Sequence, residues 1–445
     1  RGGEGRGAGK RDKDGSEGWF YSIAQCTGCR GWALDGHLVI DAAGITLIAR
    51  GLLNALGLGL HWIRDPMSNG NSTGNPLGIR PAAVKEIVEF LCDDIEEITG
   101  VRIDPPFNEK GHEVLFITPS GDVFADPGIY TFMGYLMLFH EIGLDYTLST
   151  YASEGGNFGL FTSADMMKKI NAKMYAEADR LGAKWILGGE CGHMWRVVHQ
   201  YMDTMHGPTP SCMEVPKSPI TGTVFHNAAS TKMVHIAEFT ADLIKHNKLN
   251  LDLTRNDHLN VTFHDSCNPA RGMGMLDEPR YVLQNVCRNF FEMPENTIRE
   301  QTFCCGAGSG LNTEEIMEIR MRGALPRGNA LRHVQEKHDV NTLACICAID
   351  RATLPPLADY WAPGATATGL HEPVANALVL KGEHRRSMDL RQEESPHQPP
   401  GPAEEAEMPE ELTGAAEGAR GAAAADKAEE GGAEGSNCGR TNRPT

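Results

Sequence analysis

The chain has 445 residues, 41% hydrophobic and 22% charged, a globular composition whose length asks for two or three domains. Its 41 Lys and Arg stand against 59 Asp and Glu, a formal net charge of −18, which excludes a basic nucleic-acid footprint and a general attraction to anionic membrane surfaces. The most apolar stretches, 39–63 and 128–144, are broken by Asp41 and Arg50 and by His140 and Glu141. They predict buried or amphipathic helices, with no transmembrane segment. No apolar signal core stands near Arg1.

In chain order, residues 1–18 carry Gly, Arg, Lys, Asp and Glu without apolar periodicity, and the acidic tail 383–445 is built from Ala, Gly, Glu and Pro; both are expected to be disordered. Between them, 112–118 predicts a strand ending at Pro119-Ser120-Gly121-Asp122, 130–142 a helix and 146–150 a second strand. Helical spacing follows over 164–181 (Met167, Ile170, Met174, Ala178, Leu181), then a buried strand, 184–187, ending at Gly188-Gly189-Glu190-Cys191. A similar succession recurs. Strand 261–264 ends at Asp265-Ser266-Cys267, 279–291 is helical, Cys304-Cys305-Gly306 heads a Gly-rich loop, 328–338 is helical, and 342–344 enters Cys345-Ile346-Cys347. Superposing the two runs places Ser120-Gly121 on Ser266-Cys267, Gly155-Gly156-Asn157 near Cys304-Cys305-Gly306, and Cys191 on Cys347. This predicts an internal duplication in which the second copy alone keeps its cysteines. The fold class is α/β, with two Rossmann-like parallel-sheet halves.

Twelve cysteines are too sparse for a disulfide scaffold, and their distribution points to metal binding. Cys267, Cys304, Cys305, Cys345 and Cys347 occupy three loops at the ends of different strands, and in an open α/β sheet such loops gather at the carboxyl edge, where ligands bind. Neighbouring Cys304 and Cys305 pair poorly with each other in a disulfide. Five converging thiolates suit an iron–sulfur cluster, zinc or Cu(I). Gly306, Gly308 and Gly310 let the backbone approach a bulky inorganic core and offer amide donors. Cys287, on the apolar face of its predicted helix, is expected to be an ordinary buried thiol. The Gly-rich loop lacks the register and the Lys-Ser/Thr ending of a nucleotide site.

This pattern resembles the CCG, or cysteine-rich, domain of heterodisulfide reductases. More closely, 130–144, 188–196, 263–274, 294–310 and 347–360 resemble the DsrK family, the CCG-domain subunits of the Dsr membrane complex, related to the CCG-domain subunit of heterodisulfide reductase; the resemblance covers about residues 19–380. It implies one noncubane [4Fe-4S] cluster on Cys267, Cys304, Cys305, Cys345 and Cys347, fed in the family by ferredoxin-type clusters. It also implies electrons from menaquinol through a haem-b membrane subunit, and delivery to the disulfide or trisulfide of a DsrC-like small protein with a cysteine pair. The family ends its motif in Cys-x-x-Cys, so the shorter Cys345-x-Cys347 is a departure that falls on Cys345.

In the first half Cys191 and His193 either play a structural part or line the site across a pseudo-twofold. His264 and His193 are read either as hydrogen-bonded core histidines or as proton donors to a leaving thiolate. At the N-terminus Cys26 and Cys29 begin a ferredoxin-type motif, but Trp32 and Gly36 stand where its third and fourth ligands belong. The N-terminal clusters are therefore expected to be absent, through evolutionary loss or a frame error; a zinc site would have to borrow ligands such as His37 and Cys92. The expected organisation is a disordered 1–18, a degenerate ferredoxin-like and helical segment 19–110, a first CCG-like half 111–220, a cluster-binding half 221–382 and the tail 383–445. The expected role is a cytoplasmic iron–sulfur subunit, peripheral to the inner face of the cell membrane, in a menaquinol-linked disulfide oxidoreductase complex. The alternatives are a relay subunit of a flavin-linked glycolate or glycerol-3-phosphate oxidase, and a non-redox, zinc-stabilised interaction protein.

Overall fold

The computed structural model describes residues 23, 25–31, 40–59, 61–205, 209–308 and 316–385. The expectations for 1–18, for most of the acidic tail, and for Trp32, Gly36, His37 and Gly310 lie outside them. Three helices lead in: α1 (Ala42–Ala55), α2 (His61–Ser72) and α3 (Pro81–Thr99). Val88, Leu91, Cys92 and Ile95 of α3 point into the main core.

The first half follows as β1 (Val114–Ile117), α4 (Ser120–Phe124), α5 (Asp126–Ile142), β2 (Tyr146–Leu148), α6 (Ala164–Leu181), β3 (Trp185–Gly188), α7 (Gly192–Met205), β4 (Met233–His235) and α8 (Ile236–Lys245). The second is β5 (Asn260–Phe263), α9 (Glu278–Val286), β6 (Asn289–Phe290), α10 (Met317–His338), β7 (Thr342–Cys345), α11 (Ala348–Trp361), β8 (Thr366–Gly369) and α12 (His371–Ala377). The sheets are parallel throughout and ordered β2-β1-β3-β4 and β6-β5-β7-β8. Short hydrophobic runs joined by helical crossovers leave parallel pairing as the natural arrangement.

Register makes the duplication explicit. Val114 pairs with Tyr146 as Asn260 pairs with Asn289, Ile117 with Gly188 as Phe263 with Ala344, and Ile186 with Met233 as Thr342 with Thr366. Carried three residues beyond Ile117 and Gly188 and their counterparts Phe263 and Ala344, the same equivalence sets Ser120 on Ser266 and Cys191 on Cys347. One correction concerns 279–291. The helix ends at Val286, Cys287 caps it in extended backbone, and Asn289–Phe290 forms the edge strand β6. Pairing with β5 outweighs the helical spacing there, as tertiary context commonly does. β4 and β8, too short and too mixed to read from pattern alone, complete the sheets.

The halves share one hydrophobic core, in which Val114, Phe116, Tyr135 and Ile186 of the first join Val261, Phe263, Leu283 and Val374 of the second. A second cluster, with Leu331, Leu343 and Leu357, lies under α10 and α11. At the seam between the halves a Cβ on Gly134 would stand 2.3 Å from the His371 carbonyl oxygen, so only glycine permits α5 and α12 to approach this closely.

Candidate functional site

Parallel strands bring the loops after β5, β6 and β7 to one sheet edge. Cys267 precedes a single turn, Asn268–Gly272, with Pro269 at its start. Cys347 caps the N-terminus of α11. The Cys304-Cys305 loop is fastened to the β5 loop through Asp265. Its carboxylate accepts Arg280 Nη1 and Nη2 at 2.6 Å each and the Arg299 amide at 2.7 Å, while its carbonyl accepts the Thr302 hydroxyl at 2.8 Å. Arg327, fully buried on α10, donates to the Thr297 carbonyl and the Thr302 hydroxyl, both at 2.7 Å. Gly306 has φ 90°, and a Cβ there would lie 2.4 Å from the Arg320 carbonyl oxygen. A glycine after the cysteine pair is thus a steric requirement, and it lets the Gly306 amide donate to Cys304 Sγ at 3.2 Å.

The structure brings Cys267, Cys304 and Cys305 together, with Cys347 next to Cys267. Burial holds the Cys267 thiol well above its ordinary range, reinforced by neighbouring Cys304, Cys29, Asp350 and Cys347. Burial likewise pushes Cys347 up to about 12. For Cys304, the hydrogen bond to Cys29 lowers its pKa, but the hydrogen bond to Cys305 and burial bring it to about 12. Cys305, favoured by its bond to Cys304 but desolvated, reaches about 11. Burial opposes ionisation of Asp350, yet facing His264, whose Nε2 lies 3.5 Å away, brings that carboxyl down to about 2. Beneath the pair, burial draws Arg327 down to about 10, still cationic at neutral pH. Uncharged thiols packed this tightly release their protons when a bound cation replaces them.

Cys345 sits differently. Fully buried at the end of β7, its thiol faces the carbonyls of Thr368 at 3.5 Å and Cys347 at 3.9 Å. Cys287 is a buried core thiol raised to about 12 by burial. Cys92 packs in the core beside Ile95.

The first half contributes directly. His193 Nδ1 lies 3.7 Å from Cys347 Sγ, and the Gly192 amide donates to the same sulfur. A Cβ on Gly192 would fall 2.5 Å from Pro269, so this loop is pressed onto the Cys267 turn. Burial pulls His193 down to about 4 and keeps it neutral. Cys191 Sγ accepts the Met194 amide at 3.3 Å, and its thiol, raised well above its ordinary range chiefly by burial, also feels Cys347, its pseudo-twofold counterpart. His264 presents Nε2 to Asp350, and its buried Nδ1 has no hydrogen-bond partner among the described residues. Arg327, Asp350, Gly192 and the anchoring Asp265–Arg280 pair are not singled out by sequence, since none belongs to a spaced motif.

The residues fit an iron–sulfur cluster. The described cysteines are free thiols, soft donors converge from separate loops, a glycine opens the backbone, and a buried cation lies beneath. Among the described residues no three His, Cys, Asp or Glu are set to hold a single metal ion.

Fold and site together define a duplicated α/β protein of the cysteine-rich class, and residues 261–347 match the CCG family, described as "Cysteine-rich domain". The chain belongs to the Hdr-like menaquinol oxidoreductase iron–sulfur subunits. It is 45% identical over 394 residues to the subunit of Archaeoglobus profundus, covering 84% of this chain and 71% of the relative. Iron–sulfur subunit 2 of Archaeoglobus fulgidus is 42% identical over 412 residues, 88% of this chain and 74% of the relative. Over 81 residues, 18% of this chain and 19% of the relative, it is 43% identical to a subunit of the dihydromethanophenazine:CoB–CoM heterodisulfide reductase of Methanosarcina mazei. No solved structure matches. The expected relationship to heterodisulfide reductase is thereby shown, and the chain is an oxidoreductase subunit of the iron–sulfur kind.

Proposed function

We propose that this chain carries electrons from menaquinol to the disulfide or trisulfide of a small DsrC-like protein, as a DsrK-like member of a complex with a haem-b quinol-oxidising membrane subunit. The observation that carries this reading is the convergence of Cys267, Cys304, Cys305 and Cys347 at one sheet edge, with His193 and the Gly192 amide reaching Cys347 from the other half. A bound [4Fe-4S] cluster supplies one-electron chemistry. Reducing a disulfide takes two electrons and two protons and yields two thiols, so the site has to accept a sulfur pair and supply protons. His193, buried 3.7 Å from Cys347 Sγ, and His264, buried against Asp350, are the groups we assign to hold and move a proton there. Among the described residues no helix is long and apolar enough to cross a membrane, which accords with attachment to the inner face of the cell membrane through partner subunits.

Anaerobic reconstitution followed by iron and acid-labile sulfide analysis tests the cluster, with about four irons per chain expected. Cys304→Ser and Cys305→Ser each lose most of the iron, and Cys287→Ser keeps it. Loaded protein reduced with a viologen dye then reduces the disulfide of a DsrC-like protein stoichiometrically. Full iron in both vicinal variants, or a loaded protein inert toward that disulfide, removes the reading.

A further inference from the structure

Residues 25–31 lie directly on the CCG loop. Arg271, on the turn after Cys267, donates to the Cys29 carbonyl at 2.6 Å and, from Nε, to the Glu300 carbonyl at 2.6 Å; its third bond goes to Thr302. From the other side Arg50 of α1 donates to the Cys26 carbonyl at 2.7 Å and the Ile23 carbonyl at 3.3 Å. A Cβ on Gly308 would stand 2.7 Å from the Thr27 carbonyl oxygen, so the segment rests on the Gly-rich loop itself. Gly28 and Arg30, flanking Cys29, both adopt left-handed backbone, φ 66° and 65°. For Arg30 that conformation is strained and persists only where surrounding contacts impose it. The double clamp turns Cys29 inward. Its thiol hydrogen-bonds Cys304, Thr27 reaches both sulfurs, and Cys267 feels its charge.

Cys345 shows the opposite geometry, its thiol donating to strand-end carbonyls. We propose that Cys29 is a ligand of the CCG centre and takes the fifth thiol position that the motif spacing assigns to Cys345. The five donors are then Cys29, Cys267, Cys304, Cys305 and Cys347, four from the CCG half and one brought in by the N-terminal segment. This rests on the cluster reading above and deepens it. It also gives a use to a thiol whose own ferredoxin-type set is incomplete in sequence.

Iron content and the visible and EPR spectra of the anaerobically loaded full chain read the ligand directly. Cys29→Ser is expected to retain about half of the parent's iron or less and to show an altered EPR signal, since ligand loss weakens affinity directly. Cys26→Ser and Cys345→Ser keep the parent's iron and spectrum. Iodoacetamide labelling of the unaltered chain, read by mass spectrometry, needs no substitution and so does not depend on a variant folding. Cys29 is labelled in the metal-free chain and protected after loading, whereas Cys26 is labelled in both. Equal labelling of Cys29 before and after loading, or a Cys345→Ser variant that loses iron as Cys304→Ser does, overturns the assignment. If the parent loads and Cys29→Ser loads identically, this inference alone fails; a parent that takes up no iron removes the cluster reading as well.

Discussion

At His235, Nδ1 accepts the Ala237 amide at 3.1 Å and caps α8, while the buried Nε2 finds no hydrogen-bond partner among the described residues. Burial brings its pKa from 6.5 down to about 3, against the opposing pull of Glu190. The folded value lies below the unfolded one, so between them the unfolded chain binds more protons and stability rises with pH. His235 therefore contributes fully above its unfolded pKa, and the contribution is lost as pH falls toward the folded value. In His235→Asn the cap acceptor is retained and the titration removed. The substitution carries a constant packing cost, but its stability deficit should shrink by about 1 kcal/mol between about pH 7.5 and about pH 5.5. Urea unfolding at the two pH values measures this, and a deficit that stays constant or grows on acidification refutes it. The residue scale also shows what spacing conveys and what it hides. Cys267, Cys304, Cys305 and Cys347 are legible because one local segment supplies them. The contacts of His193 with Cys347 and of Arg271 with Cys29 span 154 and 242 positions, and no single-sequence pattern records pairings of that reach.

Between elements, approach distance decides more than composition. α5 crosses the start of α12 at Gly134, where an added Cβ would lie 2.3 Å from the His371 carbonyl oxygen and 3.3 Å from Ala375 Cβ. The obstructing atom is backbone, so Gly134→Ala can be accommodated only by separating the two halves locally. Overpacking of this kind costs about 1–3 kcal/mol, more than the better helix propensity of alanine returns. The thermal midpoint of Gly134→Ala should drop by several degrees, and a midpoint equal to or above the parent's would show that the seam is plastic. Element boundaries are readable to the same physical extent. α6 is legible from Ala164 to Leu181 because its apolar spacing is unbroken and Gly182 ends it in left-handed backbone. β6 is not, because two residues that pair with β5 leave no periodicity of their own and follow a helix without a break in polarity.

Across the whole molecule, the two halves are joined by a buried ionic network that sequence does not announce. Arg351, on α11 of the second half, bonds Asp122 and, at 2.8 Å, Glu190 of the first. Glu190 also accepts the Leu370 and His371 amides at 3.0 Å and the His371 Nδ1 proton at 2.6 Å. Burial raises the cost of ionising Glu190, but His371 and Arg351 outweigh it and hold the carboxylate charged. All of these side chains are fully buried or nearly so, so the worth of the network lies less in its net energy than in what remains when one member is removed. Arg351→Met preserves bulk and strands two carboxylates in the core, at about 3–5 kcal/mol. The cost should surface as weakened cohesion between the halves. Gly192 and His193, which meet Cys347 from the first half, follow Glu190 by two and three residues, so iron loading should weaken with stability. Glu190→Gln on the Arg351→Met background removes one stranded charge and should recover part of the loss, a coupling that additive independent sites would not show. Urea unfolding of the parent, both single variants and the double variant closes that cycle. If Arg351→Met is as stable as the parent, or if the two substitutions simply add, the halves are held by their shared apolar core and the ionic network is dispensable.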